Sequence, residues 1–223
     1  MYKSDSHGTH YQKRKEGVCN MAVEFKESKT RENLMRAFAG ESQARNRYTI
    51  AAETAKKQGM YAVNQIFLFT ADQERGHAER FYGLLNSLAG TTIYIDGGYP
   101  VDHSDDVVKL LQSAQHNEME EFGDVYPAFA KVAKEEGFSE VAYAFQEIAK
   151  IEEIHGKRFG KLAELISNGK FYERDEEQDW MCLNCGHIYH GKSVPVQCPV
   201  CLHDKGYFIP AGLAPYLAQC CMK

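Results

Sequence analysis

Two segments of the chain carry a glutamate and a histidine three positions apart, Glu74-x-x-His77 and Glu152-x-x-His155. On a helix such residues share a face, so each pair aims a carboxylate and an imidazole at one point. Glu41 and Glu118 lie in stretches of helical spacing, on faces that are otherwise apolar. A carboxylate buried without a partner costs several kcal/mol, so these residues need a compensating cation. One glutamate from each of two helices and Glu-x-x-His from each of two others is the pattern of a two-iron carboxylate bundle. The four charges of Glu41, Glu74, Glu118 and Glu152 balance two divalent ions. Glu121, one turn from Glu118, adds a fifth that suits a ferric pair. Mixed imidazole and carboxylate donors favour iron or manganese over structural zinc. A lone Glu-x-x-His is usually a surface pair; two of them with Glu41 and Glu118 are not.

A second cluster is made of thiols. Four of the seven cysteines form Cys182-x-x-Cys185 and Cys198-x-x-Cys201, with twelve residues between the pairs. In a reducing compartment that spacing reads as a metal site, not a disulfide framework. Four thiolates suit zinc or a single iron. Beside an iron redox centre a one-electron iron is favoured, with zinc an alternative in recombinant protein. Trp180, Tyr189, Tyr207 and Phe208 are expected to shield it. Cys19, Cys220 and Cys221 lie near the ends and are expected to be unreactive.

The elements that must hold these residues are mostly helices. Periodic apolar positions run from about residue 28 to 168, broken at Gly59, over residues 89–104 and at Gly137. Short connections at 59 and 137 imply antiparallel neighbours, and the long middle one implies a crossover. An internal repeat of 78 residues relates Tyr48 to Tyr126, Gly59 to Gly137, Phe67 to Phe145, and Glu74 and His77 to Glu152 and His155. A four-helix bundle built from two similar helix pairs accounts for it. The third helix breaks the repeat: Glu41 maps to position 119, yet the glutamate is Glu118, and Pro127 follows Tyr126 at once. A π-bulge and a simple proline kink both account for this offset. Tyr48 and Tyr126 sit two turns from the carboxylates. They pack in the core, or hydrogen bond to ligands or peroxide.

The fold class expected is mainly α. Residues 1–27 form a disordered extension, 28–168 a ferritin-like bundle with a long crossover, and 169–180 an acidic linker. Residues 181–214 form a small β-rich metal module, and 215–223 a tail. With 43% hydrophobic residues and a net charge of −5, the chain is an ordinary globular protein without a large basic surface for nucleic acid. No apolar run approaches the roughly 18 residues of a membrane span, and the first twenty residues are polar. A cytoplasmic protein is expected.

Over roughly residues 28–214 the sequence resembles the rubrerythrin family. The run from Phe38 to Tyr48, FAGESQARNRY, is similar to that family's first-helix signature. Glu74-x-x-His77, Glu118-x-x-Glu121, Tyr126-Pro127 and Glu152-x-x-His155 are similar to its other site motifs. Cys182-x-x-Cys185-Gly186-x-x-Tyr189 and Cys198-Pro199-x-Cys201 resemble rubredoxin. The resemblance implies that Glu74 and Glu152 bridge two non-haem irons, with Glu41 and Glu118 terminal and His155 permanent on one iron. It implies that the other iron exchanges Glu121, when oxidised, for His77, when reduced.

The activity so implied is reduction of hydrogen peroxide to water by a di-iron peroxidase in oxidative stress defence. Electrons would come from an NAD(P)H-dependent reductase or rubredoxin, through the iron of the four-cysteine module, since this chain lacks a dinucleotide fingerprint. A homodimer is implied, each cysteine module serving the partner's bundle. Ferroxidase or oxygen reductase is the enzymatic alternative, and a metal-binding electron carrier the non-enzymatic one. One departure from the family is Leu202, which stands where the second knuckle usually has glycine and is expected to strain that turn. The leader and tail lie outside the resemblance.

Overall fold

The computed structural model describes residues 23–215. Ser28 starts α1 (Lys29–Lys57): its Oγ accepts from the Arg31 amide at 3.0 Å. A second cap comes from far along the chain. Glu136 accepts from the Lys29 amide at 3.0 Å and from the Thr30 amide and hydroxyl at 2.8 and 2.6 Å. These bonds hold its carboxyl below the usual range, although burial opposes them. The stabilisation is therefore present above the ordinary carboxyl pKa of about 4.3 and lost as pH falls through the lower folded value. Glu136→Ala is expected to cost the metal-free protein about 1 kcal/mol at pH 7. The gap from wild type should close in acid, which thermal melts across pH will read.

Helix α1 ends at a left-handed Gly59 (φ 71°), and the helical segment Tyr126–Glu135 ends at its repeat mate Gly137 (φ 91°). At both turns the amide after the glycine reaches back to the fifth residue before it: Met60 to Ala55 at 2.9 Å, Phe138 to Ala133 at 2.8 Å. Equal motifs in the two halves give equal turns. Helix α2 (Tyr61–Leu84) and α5 (Ser139–Ser167) follow these turns.

The third helix is not continuous. It comprises α3 (Val107–Glu120), a π-turn (Glu121–Val125) and α4 (Tyr126–Glu135). The Tyr126 amide donates to the Glu121 carbonyl five residues back. Of the two explanations for the one-residue offset, the π-bulge is therefore the one adopted. Its wide turn also accommodates Pro127, which has no amide proton to give.

Two repeat-related aromatic triads pack on either side of the bundle interior. Tyr48, Phe67 and Phe159 have ring centroids 5.1–6.1 Å apart. Tyr126, Phe145 and Phe81 have centroids 4.9–5.7 Å apart. Burying each phenylalanine contributes about 1.5–3 kcal/mol. The crossover after α2 is strapped to α1 by Arg36–Asp96 and Arg47–Asp102 pairs, each at 2.6 Å, and Asn117 joins Asp102 at 2.7 Å.

Two expected boundaries are corrected. Within the expected linker 169–180, residues from Glu173 onward belong to a strand, β1 (Glu173–Cys182). It is the central strand of an antiparallel sheet with β2 (Ile188–Ser193) and β3 (Phe208–Pro210), ordered β2-β1-β3. The acidic residues face outward while Trp180 and Cys182, two apart, face the module's interior. The expected extension 1–27 is also too long. Residues Phe25–Glu27 form a 3-10 turn, and the Phe25 ring meets Phe138 edge-on at 5.2 Å. Cys19, Cys220 and Cys221 lie outside the described residues.

The module sits on the α1–α2 turn. Tyr207 stacks on Tyr61 at 4.4 Å, and Ile209 joins the bundle core. A Cβ on Gly206 would collide with the Gly59 carbonyl oxygen, so only glycine permits this approach. No helix among the described residues is long and apolar enough to cross a membrane.

Candidate metal centre

Glu41 on α1, Glu74 and His77 on α2, Glu118 on α3, and Glu152 and His155 on α5 are all buried in the bundle. They fall into two sets that share two members. One is Glu41, Glu74, His77 and Glu152; the other is Glu74, Glu118, Glu152 and His155. Within each set one ligand atom per residue lies within 4.8 Å of all the others. His77 Nδ1 stands 2.9 Å from both Glu74 Oε2 and Glu152 Oε1, and 3.8 Å from Glu41 Oε1. His155 Nδ1 stands 3.0 Å from Glu74 Oε1, 2.9 Å from Glu152 Oε2 and 3.7 Å from Glu118 Oε2. The shared glutamates thus turn one oxygen to each set.

The residues fit two cations. Both oxygens of Glu74 and of Glu152, one each of Glu41 and Glu118, and Nδ1 of both histidines are buried without a hydrogen-bond partner. Leaving so many polar atoms orphaned would be very costly, and one ion per set satisfies them. The separations near 3 Å are also right. An octahedron with bonds of about 2.1 Å has edges of about 3.0 Å. Electrostatics agree: burial and the neighbouring carboxylates push Glu41, Glu152 and Glu118 up. Burial opposes ionisation of Glu74, yet the two imidazoles draw it down to about 2. Burial likewise opposes charging of His155, while its three glutamates carry it up to about 12. The cluster demands positive charge.

Glu121 belongs to neither set. The π-turn leaves it partly buried beside Gly40, on the wall of a pocket of about 240 Å³ that Arg36, Gln43, Arg47, Tyr99 and Tyr126 also line. Burial and the charges of Glu118, Glu152 and Glu74 hold its carboxyl well above the usual range. The tyrosines take matching places. Tyr48 donates to Glu118 Oε1, and Tyr126 donates to Glu41 Oε1 at 2.5 Å. Burial raises both phenols well above their ordinary pKa, so they remain donors.

Sequence reasoning missed Gln73. Its Oε1 lies 3.1 Å from His155 Nε2 and 3.5 Å from Arg158, whose guanidinium also lies 5.3 Å from the Phe69 ring centre. The available signal was a break in the repeat: position 151, the mate of Gln73, is Ile151.

In the module, Cys182 and Cys201 sulfurs lie 3.7 Å apart and those of Cys185 and Cys198 3.8 Å apart. A tetrahedron with bonds of about 2.3 Å has edges of about 3.8 Å, so one ion fits. Trp180 and Phe208 are buried with Cys182 and Cys198, and Tyr189 and Tyr207 pack against them. The knuckles match: Gly186 donates to the Cys182 carbonyl at 2.8 Å and Leu202 to that of Cys198 at 3.0 Å. Gly186 has φ 78° and Leu202 φ 62°, so the leucine occupies a left-handed position. That conformation costs a side-chain-bearing residue about 1–2 kcal/mol. Leu202→Gly is expected to recover about 1 kcal/mol of it, slowing metal loss to a chelator several-fold.

A helical bundle whose four helices surround two such sets, joined to a four-cysteine module, defines a ferritin-like di-iron protein with a rubredoxin-like domain. Comparison with known proteins sharpens this. A family model described as Rubrerythrin matches residues 32–163, and one described as Rubrerythrin, rubredoxin-like domain, matches residues 180–209. Rubrerythrin of Clostridium perfringens is 48% identical over 185 residues, covering 82% of this chain and 95% of that protein. Rubrerythrin of Nitratidesulfovibrio vulgaris is 40% identical over 189 residues, covering 85% and 97%. A solved structure of nigerythrin in a partially reduced state is 30% identical with a TM-score of 0.56, covering 87% of this chain and 90% of that one. The chain belongs to the rubrerythrin family.

Proposed function

We propose that this protein is a peroxidase that reduces hydrogen peroxide to two waters with two electrons and two protons. The observation that carries the reading is the union, in one chain, of a site for two adjacent cations and a tetrathiolate module docked on the same bundle. Iron storage needs no such module, because its electrons arrive with the metal. When bound, a ferrous pair supplies two electrons and Lewis acidity to the O–O bond.

The chain's own residues do the rest. Glu74 and Glu152, shared by the two sets, would offer an oxygen to each ion, and Glu41 with His77 and Glu118 with His155 would complete the two sets. Tyr126 and Tyr48 hold the terminal carboxylates Glu41 and Glu118 in place. The pocket beside Glu121 gives a small solute access. Glu121, its proton retained by burial and by its acidic neighbours, is placed to pass that proton to an oxygen leaving as water. The carboxylate so formed would add a fifth negative charge beside the two sets.

Cys182, Cys185, Cys198 and Cys201 would hold a one-electron iron, which would supply the route by which electrons return from an NAD(P)H-dependent reductase or rubredoxin in the cytoplasm. Thirteen residues of α2 separate Tyr61, against which the module packs, from Glu74. At 1.5 Å per residue that is about 20 Å, too far for rapid transfer within a chain. A homodimer in which each module serves the partner's bundle shortens the path.

Purified iron-loaded protein supplied with a reductase is expected to consume peroxide catalytically and to oxidise added Fe²⁺ far more slowly. The reverse preference would make it a ferroxidase. A colourless module and no turnover would leave a metal-binding protein without redox chemistry.

A further inference from the structure

The two halves of the centre match in their ligands, yet not in what stands behind the histidines. Resting on the ligand assignment above, we infer that Gln73 is the positioning residue that locks His155, and that the lack of its counterpart behind His77 is what frees His77 to exchange. Arg158 approaches the Gln73 side-chain amide at 3.5 Å, and a guanidinium has only donors. The amide atom facing it is therefore the oxygen, as placed. An oxygen only accepts, so His155 Nε2, 3.1 Å away, must donate to it. With an ion bound, that would fix the tautomer: the proton would stay on Nε2, leaving the Nδ1 lone pair for the ion among Glu74, Glu118 and Glu152. Arg158 is itself held over the Phe69 ring. Amide, guanidinium and ring thus stack one behind another on the far side of His155.

The 78-residue repeat lets the other side be compared position by position. His77 corresponds to His155 and Arg80 to Arg158, while Gln73 corresponds to Ile151. An isoleucine has no acceptor. Among the described residues His77 Nε2 has no hydrogen-bond partner; its polar contacts are all through Nδ1. Arg80 turns outward and pairs with Glu140 at 2.8 Å on the exposed surface. Among the described residues no side chain hydrogen bonds to the far nitrogen of His77 to set its tautomer, and its ring lies nearly parallel to that of His155, 20° apart. On the same side, the π-turn leaves Glu121 outside both sets and next to α1. A replacement carboxylate and an unbacked imidazole thus serve one ion, while the other keeps a backed imidazole. The asymmetry of the centre resides in residue 73 against residue 151.

Three variants test this with readouts other than turnover. Ferrous iron is titrated anaerobically into metal-free protein whose cysteine module is already filled, and crystals are compared in ferrous and ferric states. Wild type is expected to hold two bundle ions and to show one of them shifted between states. Gln73→Leu should weaken one ion about 10–100-fold and leave the other unchanged, whereas Gln73→Glu should keep both within a few-fold of wild type. Ile151→Gln, which supplies the missing acceptor, should tighten the second ion and abolish its shift. Wild-type affinity for both ions in Gln73→Leu, or an undiminished shift in Ile151→Gln, would overturn the inference. Wild type holding fewer than two bundle ions would sink the ligand assignment itself, and this inference with it. Should Gln73→Leu not fold, as judged by helical circular dichroism, the Ile151→Gln shift alone decides.

Discussion

Cys182→Ser is expected to abolish reductase-driven peroxide turnover, by at least a hundredfold, while leaving the two-ion site assembled. Cys182 is buried in the module with Trp180, Cys198 and Phe208, and its removal leaves three sulfurs for the ion. The carboxylate sets share no residue with the module, so iron loading of the bundle and its helical spectrum should be unchanged. Chemically prereduced Cys182→Ser protein should still consume one equivalent of peroxide per bundle. The dimer proposal adds a sharper expectation. Mixing Cys182→Ser chains with Glu74→Ala chains, then allowing subunits to exchange, should restore part of the turnover. The mixed dimer pairs one working module with the partner's working bundle. No restoration despite proven exchange would confine electron transfer to a single chain. Normal turnover in Cys182→Ser alone would end the relay altogether.

Glu121→Ala and His77→Ala are expected to fail in opposite oxidation states. A ferrous pair carries four positive charges, which Glu41, Glu74, Glu118 and Glu152 balance, so the neutral imidazole of His77 suits it. A ferric pair carries six, and the carboxylate of Glu121 then becomes the better ligand. His77 Nδ1 lies 2.9 Å from both shared glutamates, and Glu121 stands apart on the pocket wall, so each residue is within reach of the role expected of it. Glu121→Ala should raise the midpoint potential of the pair, since the oxidised form loses a negative ligand. His77→Ala should weaken ferrous binding about 10–100-fold and change ferric retention little. Potentiometry and ferrous competition titrations read these separately. Equal losses in both states would mean that the two residues do not alternate.

The inward carboxylates were legible because helical periodicity encodes which face a residue takes. Glu41, Glu74, Glu118, Glu152 and His155 stood out as charged or polar positions on apolar stripes, and all are buried. The repeat likewise carried the helix pairing and the matching turns at Gly59 and Gly137, because local backbone geometry follows local sequence. The one-residue offset at Glu118 announced an irregular helix. It did not choose its form, since a kink and a π-turn differ only in which carbonyl the Tyr126 amide selects.

What lay beyond the sequence was every contact between distant residues. Glu136 caps α1 from 107 positions away, and Gln73 backs His155 from 82 positions away. The acidic run from Glu173 read as a linker because its charge gave no sign of the strand partners that make it the centre of a sheet. Periodicity tells a side chain which way to face. Which group waits there, at 3 Å and in which orientation, is set by how helices and strands pack, and that packing is a property of the whole chain.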